Sequence, residues 1–119
     1  MKTKENDYKN RFVLKLGAKL VVVDVNNIAY IYSYDRNNFL ITKDNNKYIV
    51  EYTIENLEYM LDPKFFFKVS RKCITSINAI NEIIKYSNRS LKIDLNPDCD
   101  IDIFVGRDRV NNFLNWLDK

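Results

Sequence analysis

Apolar residues along this chain come in short runs rich in Val, Ile, Tyr and Phe, broken by clusters of Asn, Asp, Lys and Ser. Branched and aromatic side chains suit a pleated, half-buried surface, so the pattern predicts a succession of strands. They fall near 12–16, 20–24, 28–34, 38–43 and 47–52. Between the last two, Asp44-Asn45-Asn46 predicts a tight hairpin, because Asn and Asp tolerate the left-handed backbone such a turn requires. The period then changes. Ile54, Leu57 and Leu61 recur at helical spacing, behind the capping residue Thr53 and ahead of Pro63, which predicts a short helix over 53–62. Phe65 to Val69 reads as a strand, Ile74 to Ile80 as a turn or short helix, 81–87 and 90–96 as strands joined around Asn88, and 101–105 as a brief strand. The clearest element is a C-terminal amphipathic helix, with Val110, Phe113, Leu114 and Leu117 on one face. Gly106 precedes it, and Asp108 near its start favours the positive end of the helix dipole.

Before Phe12 no apolar position recurs, so residues 1–11 are expected to be a linker or disordered N-terminus, and 12–119 the folded domain. A chain of 119 residues makes one domain with a core large enough to need no disulfide or metal. The sequence has no histidine, which removes the commonest general base, the usual metal ligand and every Ser-His or Cys-His nucleophile pair. An enzyme is therefore not expected. Cys73 and Cys99 lack C-x-x-C spacing, so they predict two buried, reduced thiols rather than a zinc site or redox dithiol. Asp98-x-Asp100-x-Asp102 copies the opening of a calcium-binding loop, but Ile103 stands at the required Gly and Arg109 at the closing Glu. No metal or cofactor is expected. No apolar run approaches the roughly 20 residues that span a bilayer, and the N-terminus lacks a signal-peptide core. A cytoplasmic protein without a membrane partner is the expectation.

Three segments combine cations with flexible hydrogen-bonding side chains. Asp35-Arg36-Asn37-Asn38 caps the hairpin between the third and fourth strands, and taken alone is a turn like many others. Lys64 to Lys72 carries Lys64, Lys68, Arg71 and Lys72 with no acid among them, and Phe65, Phe66 and Phe67 are expected to anchor its near end in the core. Val105-Gly106-Arg107-Asp108-Arg109 places two arginines where a strand meets a helix. Arginine's planar fork of donors matches phosphate oxygens or the O6 and N7 edge of guanine, although a surface pair with Asp108 explains this segment equally well. Lys85, Arg89 and Lys92 are basic, whereas Asp94, Asp98, Asp100 and Asp102 are acidic. Such segregation lets a net charge of only +3 coexist with one strongly positive face, which is what a polyanion senses.

With these segments in order, the sequence resembles the LytTR family, the mainly β DNA-binding output domain of bacterial response regulators. The likeness runs from about Phe12 to Leu117. Its most specific part is Asp62-Pro63-Lys64-Phe65-Phe66-Phe67-Lys68-Val69-Ser70-Arg71-Lys72-Cys73-Ile74, like the family's D-P-x-x-F-F-R-x-x-R-x-x-I stretch. Val105-Gly106-Arg107-Asp108-Arg109, followed by Phe113 and Trp116-Leu117, is like V-S-R-x-R with an F-x-x-W-L ending. Ile28 to Ser33 is similar to the strand before the first recognition loop, and Leu91 to Pro97 to L-K-L-x-L-N-P. Two departures stand out: Gly106 replaces a common Ser, and Asp108 puts an acid near the presumed DNA surface.

The resemblance implies a mainly β fold, an elongated stack of small antiparallel sheets with short flanking helices, in which loops rather than a recognition helix enter the grooves. Carried over by position, the first contact loop is Arg36, Asn37 and Asn38, the second Ser70, Arg71 and Lys72, and the third Arg107 and Arg109. Lys68, Lys72, Lys85 and Arg89 are expected to touch phosphates, and Arg71, Arg107 and Asn38 to meet base edges in the major groove. The implied partners are double-stranded DNA, a second copy on paired sites, a receiver domain before residue 12 and an upstream histidine kinase. The residues leave two other readings open, a protein-interaction module with exposed strand edges and an RNA binder.

Overall fold

The computed structural model describes residues 7–87 and 90–119. Among the described residues ten strands fall into three antiparallel sheets. β1 (Arg11–Leu16) and β2 (Lys19–Asp24) form a hairpin. β3 (Ile28–Tyr34), β4 (Asn37–Thr42), β5 (Lys47–Val50), β6 (Phe66–Ser70) and β7 (Cys73–Ser76) form a five-stranded sheet in the order β5-β4-β3-β7-β6. β8 (Ile80–Lys85), β9 (Leu91–Leu95) and β10 (Ile103–Val105) make the third sheet. Two short helices complete the fold, α1 (Ile54–Met60) and α2 (Val110–Leu117). Among the described residues no helix is long and apolar enough to cross a membrane.

The five-stranded sheet lies between two cores, which explains why its central strand is buried along nearly its whole length. On one face Ile28, Ile31, Leu40 and Ile74 pack with Phe12, Leu14 and Val23 of the β1–β2 hairpin and with Ile54, Leu57 and Leu61 around α1. On the other, Tyr30, Tyr32, Ile41, Val69 and Cys73 pack with Ile93, Leu95, Ile103 and Val105 of the third sheet and with Phe113 of α2. Neighbouring residues of a strand face opposite ways, so a strand between two cores needs apolar side chains on both sides. A register shift between Ile28 and Tyr30 turns Ala29 and Tyr30 into the same core.

Local chemistry terminates α1 and the β4–β5 hairpin as the pattern predicts. Thr53 Oγ1 accepts the Asn56 N–H at 3.0 Å and caps α1. Asn45, at φ 68°, takes the left-handed position of the β4–β5 turn. α2 docks on β6 through rings: Phe67 lies 5.6 Å from Phe113 and 5.2 Å from Trp116, and Trp116 Nε1 donates to the Pro63 carbonyl at 2.8 Å.

Four expectations need correction, the first being that both thiols are buried: Cys73 is, but Cys99 is only half-buried. The stretch from Ile74 to Ile80 is not one turn or helix, because Cys73–Ser76 is β7, and the 3-10 turn begins only at Ile77. All four β7 residues are buried between β3 and β6, so polar Thr75 and Ser76 carry no outward signal and the strand has no alternation. Phe66 and Phe67 anchor the basic run, but Phe65 is exposed. Leu114 is likewise exposed, since the docking face of α2 is narrower than its apolar stripe. The turn expected around Asn88 lies outside the described residues.

Three of the four acids in the stretch before β10 are engaged by structure. Asp100 accepts from Lys47 Nζ at 2.8 Å and from Tyr32 Oη at 3.1 Å, while the ammonium sits 4.4 Å from the Phe39 ring centre. Asp102 pairs with Lys92 at 3.5 Å, and Asp94 accepts from Asn81 at 2.8 Å. The Lys47 bond, then that of Tyr32, holds the Asp100 carboxyl below the ordinary range. A lowered carboxyl pKa stabilises the fold fully above the ordinary value of about 3.9, and that contribution is lost as pH falls through the folded value. Asp100→Asn should therefore be less stable than the parent in urea unfolding at neutral pH, with the gap closing as the solution is acidified; a gap that widens in acid contradicts the assignment.

Candidate functional site

The three cation-bearing segments become three adjacent turns, one on each of three different chain segments. The first is the β3–β4 hairpin, whose tip is Asp35-Arg36, both in left-handed backbone at φ 52° and 67°. Asn37 and Asn38 belong to β4 and pair with Tyr34 and Ser33. The second is the β6–β7 hairpin, whose tip is Arg71-Lys72. A register shift between Lys68 and Ser70 precedes it, and Ser70 Oγ accepts the Lys72 N–H at 3.1 Å, so a side chain closes the turn. The third is the 3-10 turn Arg107–Arg109 between β10 and α2.

Hydrogen bonds lock these turns together. The Ser33 N–H donates to the Lys72 carbonyl at 2.8 Å, which joins the first to the second. The Gly106 N–H donates to the Val69 carbonyl at 3.3 Å, and Arg109 Nη1 to the Lys68 carbonyl at 3.4 Å, which join the third to the second. Asn38 links the first to the start of α1: its Oδ1 accepts from Ser33 Oγ, and its Nδ2 donates to the Tyr52 carbonyl at 2.7 Å. Each contact is modest, yet together they fix three loops from distant parts of the sequence against one another.

A concavity of about 500 Å³ opens where they meet, and its walls include Asn38, Lys68, Arg71 and Arg109. One residue from each of the three turns or its flank therefore faces the same space. Arg107 faces another concavity of about 580 Å³, shared with Lys85, Ser87, Ser90 and Asn111. The two arginines of the third turn thus serve two neighbouring basic surfaces, because a single 3-10 turn points residues two apart in different directions. Arg36, Arg71, Lys72, Lys85 and Arg107 are exposed. Arg89 lies outside the described residues.

Other sequence-predicted residues are less free than the pattern implies. The Lys68 side chain is 11% exposed and its Nζ lies 3.7 Å from Glu58 on α1, so its charge is partly answered before any ligand arrives. Asn38 spends its amide on the brace just described. Asn37 Nδ2 donates to the Asp35 carbonyl at 3.3 Å. Asp108 makes no ion pair with Arg107 or Arg109 among the described residues, and its Oδ1 lies 3.0 Å from where a Cβ on Gly106 would sit. The absent side chain at Gly106 thus makes room for this carboxylate.

Two acids at the site escaped the sequence reading. Ile54 and Leu57 turn inward, so Glu55 and Glu58 face outward on α1, as helical spacing requires. Which neighbour that outer face approaches depends on tertiary packing, and packing brings Glu55 into the basic concavity.

Comparisons with known proteins bear on the family and the fold. The family model for the LytTr DNA-binding domain matches residues 18–118. Among solved structures, the chain is similar to the LytTr DNA-binding domain assigned to a methyl-accepting/DNA response regulator from Bacillus cereus, with a TM-score of 0.79 at 17% identity, covering 92% of this chain and 97% of that one. At that identity the likeness is one of fold. No curated protein matches the chain.

The brace at Asn38 gives a direct test. Asn38→Ala removes partners from the Ser33 hydroxyl and the Tyr52 carbonyl, both near solvent, and should lower the unfolding free energy by about 1 kcal/mol in urea. An unchanged midpoint would mean the brace holds nothing.

Proposed function

The chain belongs to the LytTr DNA-binding domain family, and from that premise we propose that it binds specific duplex sequences through its three joined turns, in the major groove, to regulate transcription. The observation that carries this reading is the concavity drawing Asn38 from the first turn, Arg71 from the second and Arg109 from the third. Arg71 stands exposed on a two-residue turn whose backbone is bonded on both sides, so its guanidinium starts from a defined base. Five donors in a rigid fork suit guanine O6 and N7, which assigns Arg71 to base readout. Arg107 takes the same role on the neighbouring surface. Arg36, Lys72 and Lys85 are exposed cations fit for phosphate contacts that position the duplex and release counterions. Lys68, Asn38 and Arg109 hold the surface in shape, with Lys68 adding to its field.

In this reading the chain is the output module of a two-component response regulator, working in the cytoplasm. A receiver domain preceding it, addressed by a histidine kinase, brings two copies onto paired half-sites. One module of this size buries too little surface for strong specificity by itself, so the isolated domain binds weakly. The binding chemistry is non-covalent throughout.

A second reading, a protein-interaction module, draws on the outer face of the β1–β2 hairpin, where the cross-strand pair Val13 and Val22 and nearby Leu20 are all more than half exposed.

The test is titration of the domain with selected and random duplexes at two salt concentrations. Arg71→Ala should lose about 1–3 kcal/mol of discrimination at one base position. Lys72→Ala should weaken binding to every duplex alike and make the salt slope shallower by about one. If parent and both variants bind all duplexes equally, these roles are wrong; if none binds while the β1–β2 face captures a protein partner, the second reading stands.

A further inference from the structure

Glu55 is an anomaly in the basic concavity. It lies on the first turn of α1, exposed, beside the space lined by Arg71, Lys68 and Arg109, and among the described residues no ion pair takes its carboxylate. Its neighbour Glu58 is different, being paired with Lys68. A carboxylate early in a helix gains something from the helix dipole, but α1 is already capped by Thr53, and for an exposed side chain that gain is small and screened by salt. Against it stands repulsion from every phosphate of a polyanion that approaches the carboxylate. If this surface only had to attract phosphate, the carboxylate would oppose it.

Recognition of base edges changes the balance. Arg71 and Arg109 are donors only, whereas an ionised Glu55 is an acceptor only. In the major groove, guanine and thymine present acceptors, and cytosine N4 and adenine N6 present amino donors. A concavity with a donor fork and an unshared acceptor side by side complements a base step that presents both kinds of edge. It also repels an incorrect step, placing the carboxylate against O6 or O4, which is how a binding surface builds selectivity against competitors.

We infer that Glu55 is a specificity-determining residue, which accepts a hydrogen bond from the exocyclic amino group of cytosine or adenine next to the guanine taken by Arg71. The inference rests on the proposed DNA-binding surface and adds to it the acceptor that the cationic loops lack. It predicts a trade: Glu55 lowers affinity for DNA in general and raises the contrast between sequences.

The experiment selects bound sites from a random duplex pool with the parent, then measures parent and Glu55→Gln against a panel carrying each base pair at each position. Glutamine keeps the size and removes the charge, and it can both donate and accept. Glu55→Gln should bind non-cognate duplexes more tightly and lose roughly tenfold of discrimination at one position, next to the position sensitive to Arg71→Ala. A duplex whose base at that position lacks the amino group, through 2-pyrimidinone for cytosine or purine for adenine, should weaken the parent but leave Glu55→Ala nearly indifferent; the sensitive analogue identifies which base is bound. If Glu55→Gln tightens every duplex equally and keeps the parent's preferences, the residue is only an electrostatic brake and the inference fails. If it changes thermal stability and nothing else, the residue serves the helix and the inference fails as well. Loss of selectivity by the parent itself would instead overturn the DNA-binding surface on which the inference rests.

Discussion

The main-chain bonds from Ser33 to Lys72 and from Gly106 to Val69, with the Arg109 contact to the Lys68 carbonyl, are what make one surface out of three turns. Without them the same cations would be mobile loop tips, each losing conformational freedom separately when a ligand bound. β6 and its turn occupy the centre of this arrangement, since both other turns are bonded to it. The bulge before Ser70 and the Ser70 side chain that closes the turn show how closely the path of Arg71 and Lys72 is defined. The surface is preorganised by these contacts rather than by pairing among the cations themselves; Arg109 and Lys68 are engaged in them, while Arg71 and Lys72 make no ion pair among the described residues.

That surface depends in turn on the layered body behind it. β3 lies at the middle of the stack, with one core on each side, and it ends at Ser33 and Tyr34, where the first turn begins. β6 is held by Phe66 in one core and by Val69 in the other. α2 adds Phe113 and Trp116 against Phe67, so the helix that follows the third turn is clamped to the strand that leads to the second. A perturbation of either core therefore reaches the loops through strands that have little room to slide.

Much of this was legible in the sequence because local rules agree with the global fold. Thr53, Pro63 and Asn45 announce their cap, stop and turn, and the strand periods of β1 to β5 match their positions within a residue or two. β7 was not legible, since a strand covered on both faces leaves no alternation and CITS has no length to compensate. The three cation-bearing turns could be listed from charge and resemblance, yet how each side chain is engaged could not. That Lys68 is paired with Glu58, that Asn38 is a brace, and that Arg107 and Arg109 face different concavities all follow from packing between elements far apart in sequence. Glu55 was missed for the same reason.

In the proposed function, one contiguous side of the molecule, made by the three joined turns, receives the duplex. Titration of the isotopically labelled domain with a selected duplex, followed by amide chemical-shift mapping, tests it most directly. The largest shifts should cluster at Ser33 to Asn38, Lys68 to Lys72 and Gly106 to Arg109, with the β1–β2 hairpin unmoved. Shifts concentrated on that hairpin, or spread over both ends of the molecule without the three turns, would contradict it.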